Sequence, residues 1–152
     1  MRAARVLSSM FGIGYLPKAP GTAGAILGLV FGAALLHVAA IPGLLIGAII
    51  VSLSGLWAVS HTGHASLDPG WIIIDEVAGQ MIALLGLDRM SWHGLLLAFL
   101  LFRLFDIRKP WPVRIANARP DELGIMADDW LAGALAAAVI MAARSIWPGL
   151  GM

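Results

Sequence analysis

Between Lys18 and Asp68 the chain carries no Asp, Glu, Lys or Arg. A run that long and that apolar, in a chain of 152 residues, argues for lipid contact. The composition agrees. Soluble domains run near 45–50% apolar and about 25% charged, whereas this chain is 60% hydrophobic and 12% charged. Ile41, Pro42 and Gly43 divide the run, because proline followed by glycine ends a helix and turns the chain. Two spans are predicted, 22–40 and 43–60, followed by apolar runs at 71–87, 92–107 and 129–147. Each has about 17–20 residues, near the length that crosses hydrocarbon at 1.5 Å per residue. The expectation is an all-α integral membrane bundle of about five short transmembrane or partly interfacial helices, forming a single domain over 1–152. Gly24, Gly28 and Gly32 recur every four residues. Small residues at that spacing let helix backbones approach closely in lipid.

Several function classes drop out. A net charge of +1, with no basic stripe interleaved with aromatics, gives no case for nucleic acid. The absence of cysteine removes a disulfide framework, a thiolate zinc site and a cysteine nucleophile. Arg2 and Arg5 ahead of an apolar stretch resemble a signal-peptide start, but Gly12 and Gly14 interrupt that stretch and Lys18 and Pro20 follow, so a retained segment is expected.

Orientation follows from the basic residues. If 22–60 forms a hairpin, then Arg2, Arg5 and Lys18 share a side with Arg103, Arg108, Lys109, Arg114 and Arg119, leaving only Arg89 and Arg144 opposite. The positive-inside rule makes the crowded side cytoplasmic. The acids then gather there too. Asp75 and Glu76 lie one turn into the third span, Asp106 in the last turn of the fourth, and Asp128 and Asp129 open the fifth.

These groups suggest chemistry, each with a plainer alternative. In IIIDEVAGQM (72–81), Asp75, Glu76, Gly79 and Gln80 fall within one helical arc of about 140°. An intramembrane carboxylate costs about 2.5–3.5 kcal/mol and persists when paired, hydrated or bound to a cation. In GIMADDWLAG (124–133), Asp128 reads equally as an N-cap. Together Asp75, Glu76, Asp128 and Asp129 could hold a hard cation such as Mg²⁺, which takes one or two carboxylates plus waters and phosphate oxygens. In FRLFDIRKPWPVR (102–114), Arg103, Asp106 and Lys109 are spaced three apart, so Asp106 is either half of a structural ion pair or a base or ligand held ionised. Pro110 stops that helix, and Trp111 suits an interface. In LPKAPGTAG (16–24), Thr22 reads as an N-cap, and the helix start at Gly21, Thr22 and Gly24, with Lys18 nearby, could attract a phosphate. His61 and His64 read as an interfacial pair rather than metal ligands.

With these stretches in view, the chain resembles the phosphatidylglycerophosphatase A family. The matching blocks are 12–24, 72–80, 102–114 and 124–133, in the family's order, and they contain most of the polar positions. The resemblance implies an all-helical, Mg²⁺-dependent enzyme that hydrolyses the terminal phosphate of phosphatidylglycerophosphate in the bilayer, leaving phosphatidylglycerol. Such an enzyme belongs in the inner (cytoplasmic) membrane as a multi-pass protein. The residues agree with metal-assisted attack by water, since the nucleophile motifs of other phosphatases are missing. Lys18, Arg103 and Lys109 would offset charge on the phosphate. Asp106 is the expected general base or water-positioning group. A small transporter or ion-binding membrane protein using the same acids is the alternative, as is a structural subunit needing no metal.

Overall fold

Long apolar runs rich in Leu, Ala and Ile, punctuated by Pro and Gly, can satisfy their backbone only as helices where water is scarce. The computed structural model describes residues 2–63 and 69–147, and every regular element among them is helical. A short α1 (Arg2–Ser8) and one 3₁₀ turn (Ile13–Tyr15) lead into α2 (Pro20–Ser60). Then come α3 (Ile74–Leu84), α4 (Trp92–Arg108), α5 (Val113–Asn117) and α6 (Glu122–Ile146).

The predicted hairpin is present. α2 breaks at Ala40, whose backbone leaves the helical region (φ 54°, ψ −161°) two residues before Pro42. The two arms fold back on each other: a side chain added at Gly47 would meet Leu35 and Met81. Each arm is roughly 30 Å long. Their outward faces expose Val30, Phe31, Val38, Ile46, Ile50 and Leu53. Among the described residues, they and α6 are the helices long and apolar enough to cross a membrane. Such a surface points to membrane association.

The expected third span is corrected. α3 has 11 residues, roughly 17 Å of helix, about half the thickness of hydrocarbon. The chain before it is otherwise engaged, with the Ile73 N–H donating to the Ser8 carbonyl at 2.9 Å. Beyond Leu84 the backbone tightens into a turn through Gly86. All but two of its residues are buried, so α3 is apolar because protein surrounds it. It is the axis of the fold, with the arms of α2 on one side and α4 and α6 on the other.

Glycine sets the spacing around this axis. A Cβ at Gly28 would lie 2.6 Å from the Val77 carbonyl oxygen, so α2 touches the α3 backbone along the stripe of small residues. A Cβ at Gly79 would lie 2.6 Å from both the Asp129 carbonyl oxygen and Phe102, which fixes α6 and α4 against α3.

α6 also begins earlier than predicted. Asp121, not Asp128, caps it and accepts the Gly124 N–H at 2.8 Å. Asp128 and Asp129 lie almost two turns inside the helix, where they face protein rather than open a span. Likewise Ala19, not Thr22, occupies the cap of α2, with Pro20 as the first helical residue. At the far end, Arg144 donates to the Gly86 carbonyl (2.7 Å) and pairs with Asp88 (2.8 Å). α3 and α6 therefore end together at the pole away from the acids.

Candidate metal and phosphate site

Helix geometry puts Asp75 and Glu76 in the first turn of α3, and the Gly79 contact draws Asp129 of α6 across from them. One ligand oxygen from each of Asp75, Glu76 and Asp129 lies within 4.8 Å of the others. Bond lengths of about 2.0–2.6 Å to Mg²⁺ or Ca²⁺ place oxygens on opposite sides of one ion about 4–5 Å apart, so the three are gathered on the scale of one coordination shell. Asp75 and Asp129 are buried and Glu76 nearly so, and Asp75 Oδ1 and Glu76 Oε2 have no hydrogen-bond partner in the protein. Three adjacent carboxylates in an apolar setting repel one another and are largely shielded from solvent, so a divalent cation fits the donor set.

Cations stand around this group. Arg103 on α4 pairs with Asp106 at 2.5 Å, as the three-residue spacing predicts. Asp106 is also within electrostatic reach of Glu76 and Asp129. Lys109 takes a left-handed backbone (φ 43°) at the end of α4, which turns its ammonium onto Asp128 and onto Asn117 Oδ1 at 2.7 Å. Partial burial works against that ammonium. The hydrogen bond and charge of Asp128, backed by Asp129 and Asp106, outweigh it and hold the Lys109 pKa above the ordinary lysine value.

The expected site residues separate into groups. Asp75, Glu76 and Asp129 converge. Asp128 sits one residue from them but is bound to Lys109 and accepts the Asp129 N–H at 3.0 Å. Gly21 and Gly24 press the start of α2 onto Glu76. A side chain at Gly21 would collide with Glu76 Oε1 and approach Arg103, and one at Gly24 would lie 2.9 Å from the Ile73 carbonyl. The N–H groups of Thr22 and Ala23 donate to the Ala19 carbonyl, so this helix start offers fewer free donors than expected. Lys18 is exposed and forms no ion pair among the described residues. His61 stacks on Trp57 at the surface, and His64 lies outside the described residues.

Sequence reasoning missed Asn117, because the loop that folds α5 back beside Lys109 has no periodicity to read. It also missed Asp121 as a cap, although Asp-Glu-Leu-Gly after Pro120 is a recognisable helix start.

A family model for phosphatidylglycerophosphatase A matches residues 6–144. The chain belongs to the phosphatidylglycerophosphatase A family. A family relative from Haemophilus influenzae, named phosphatidylglycerophosphatase A, is 36% identical over 140 residues, covering 90% of this chain and 86% of its own. One from Escherichia coli with the same name is 29% identical over 150 residues, covering 94% and 84%. A protein from Bacteroides thetaiotaomicron, named a putative phosphatidylinositol-3-phosphatase, is 37% identical over 147 residues, covering 91% and 92%. No solved structure matches the chain. Membership makes the chain a phosphatase of the family's kind.

Proposed function

We propose that this protein hydrolyses the terminal phosphomonoester of phosphatidylglycerophosphate, giving phosphatidylglycerol and inorganic phosphate, with Mg²⁺ held by Asp75, Glu76 and Asp129. The observation that carries the proposal is the convergence of these three carboxylates, two of them with unpartnered buried oxygens, beside Arg103 and Lys109. When bound, the cation neutralises phosphate charge and makes water more acidic. The protein groups do the rest. Water adds to phosphorus and the bond from phosphorus to the glycerol oxygen breaks. Asp106, paired with Arg103, takes a proton of the attacking water, and the departing glycerol oxygen takes one from solvent. Arg103 and Lys109 offer fixed positive charge to the phosphate oxygens, and Lys18 meets the incoming headgroup from solvent. Asp128 holds Lys109 in place.

The same reading assigns the protein to the inner membrane as a multi-pass protein with its site at the cytoplasmic face. Support comes from charge: Arg103, Lys109 and Arg119 lie at the acidic pole, while Arg144 lies at the other. A lipid phosphate stays at headgroup depth, so a site near the helix ends meets it without dragging charge into hydrocarbon. The transporter reading suits the acids less, because they occupy one end of the bundle rather than a path through it.

Purified protein in mixed micelles tests the proposal. Phosphate release and the lipid product are measured on phosphatidylglycerophosphate, phosphatidylinositol 3-phosphate and phosphatidic acid. Preferred turnover of the first is expected. Preference for the inositol lipid would move the substrate assignment to that of the Bacteroides relative, and release from none of them would end the phosphatase reading.

A further inference from the structure

Gln80 is completely buried, and neither its amide oxygen nor its amide nitrogen has a hydrogen-bond partner in the protein. Buried amides are nearly always satisfied, so an orphaned one points to a group outside the chain. Its position says which. Gln80 lies four residues after Glu76 on α3, hence about 40° around and roughly 6 Å further along the helix. Long side chains on a helix lean toward its N-terminus and cover the preceding turn, so Gln80 leans toward Glu76. On its outer side the first arm of α2 closes in, since a Cβ at Gly28 would be 2.8 Å from Gln80 Cβ. Glu76 Oε2, one turn back on that face, is also buried and unpartnered.

We propose that Gln80 is a positioning residue that forms the inner, neutral wall of the cation site, steadying Glu76 and the cation's hydration water together. The chemistry suits an amide and not an acid. Glu76 Oε2 only accepts hydrogen bonds, the Gln80 nitrogen donates, and the two are not bonded to each other, so the link between them runs through water. Water on a divalent cation only donates, and the Gln80 oxygen accepts. A fourth carboxylate here would add charge to a site that already holds three. The inference rests on the cation reading of Asp75, Glu76 and Asp129.

Its test reads metal binding rather than turnover. Wild type, Gln80→Met and Gln80→Glu are purified in detergent, and melting temperature is followed in EDTA and through a Mg²⁺ titration. Gln80→Met keeps the side-chain length and removes the orphaned atoms, so in EDTA it should melt at or above wild type. Its half-maximal Mg²⁺ concentration should rise at least about tenfold, the usual scale for groups that orient metal ligands. Gln80→Glu should melt lower than wild type in EDTA and gain more from Mg²⁺, because the added charge then has a counterion. If wild type responds to Mg²⁺ and both variants titrate as it does, Gln80 is only packing and the inference fails alone. A wild type that shows no response to Mg²⁺, Mn²⁺ or Ca²⁺ overturns the inference together with the cation reading. If Gln80→Met does not fold, the Gln80→Glu comparison decides on the same terms.

Discussion

Gly79→Ala should cripple the enzyme without touching an ionisable group. The added methyl carbon would lie 2.6 Å from the Asp129 carbonyl oxygen and 2.6 Å from Phe102 Cε2. Ordinary contact begins at 3.4 Å, so α6 would have to retreat by about 0.8 Å, since a backbone carbonyl inside a helix cannot swing aside. Because Asp129 belongs to that same turn, its carboxylate moves away from Asp75 and Glu76 by a comparable amount. A displacement near 1 Å costs about 10² in rate when positioning matters, and overpacking costs about 1–3 kcal/mol of stability. Gly70→Ala is the control, because a Cβ there meets nothing within 4 Å. Phosphate release from phosphatidylglycerophosphate and thermal melting in detergent would be measured on both. A Gly79→Ala protein with turnover within twofold of wild type would show that the α3–α6 approach does not set the site.

Asp129→Asn and Asp106→Asn should each lower turnover by about 10² or more while melting near wild type, and near-normal rates in both would remove them from the chemistry. Asp121→Ala should melt a few degrees lower with turnover intact, because it caps α6 roughly 12 Å along the helix from Asp129. The hydrogen bond from Arg119, then that from Gly124, depresses the Asp121 pKa in the folded state. Its stabilisation is therefore present above the ordinary carboxylate pKa and lost as pH falls through the lowered one, so the melting gap between wild type and variant should close in acid. With no native cysteine, single cysteines at the exposed positions Ala19, Ala118, Ala39 and Met90 can be labelled by an impermeant thiol reagent. In inverted vesicles the first two should react and the last two stay protected. Labelling of positions 19 and 118 from opposite sides would contradict the proposed topology.

Much of the site was legible because helix arithmetic and charge placement are local. Arg103 and Asp106 pair as their spacing requires, the hairpin turns beside Pro42, and Asp75, Glu76 and Asp129 meet at the pole that the basic residues mark. What failed was the inference from apolarity to lipid. An apolar run reads the same whether lipid or protein covers it, so residues 71–87 read as a span although α3 is the encased axis. The acids likewise read as the start of α6, because polar residues ordinarily border a span. They are polar and interior because Asp129 faces the carboxylates of α3 and Asp128 faces Lys109. Asp128 shows a further limit. Adjacent aspartates diverge by about 100° on a helix, and only the folded position of Lys109 decides which one joins the cluster.

The central claim is that a divalent cation on Asp75, Glu76 and Asp129 supports hydrolysis of a lipid phosphomonoester. The direct measurement is phosphate release from phosphatidylglycerophosphate by purified protein, first after exhaustive chelation with metal removal verified by elemental analysis, then after graded return of Mg²⁺. The account predicts negligible release in the stripped protein and a saturable recovery on adding Mg²⁺, with Asp129→Asn failing to recover. Full release from protein shown to be metal-free would contradict it.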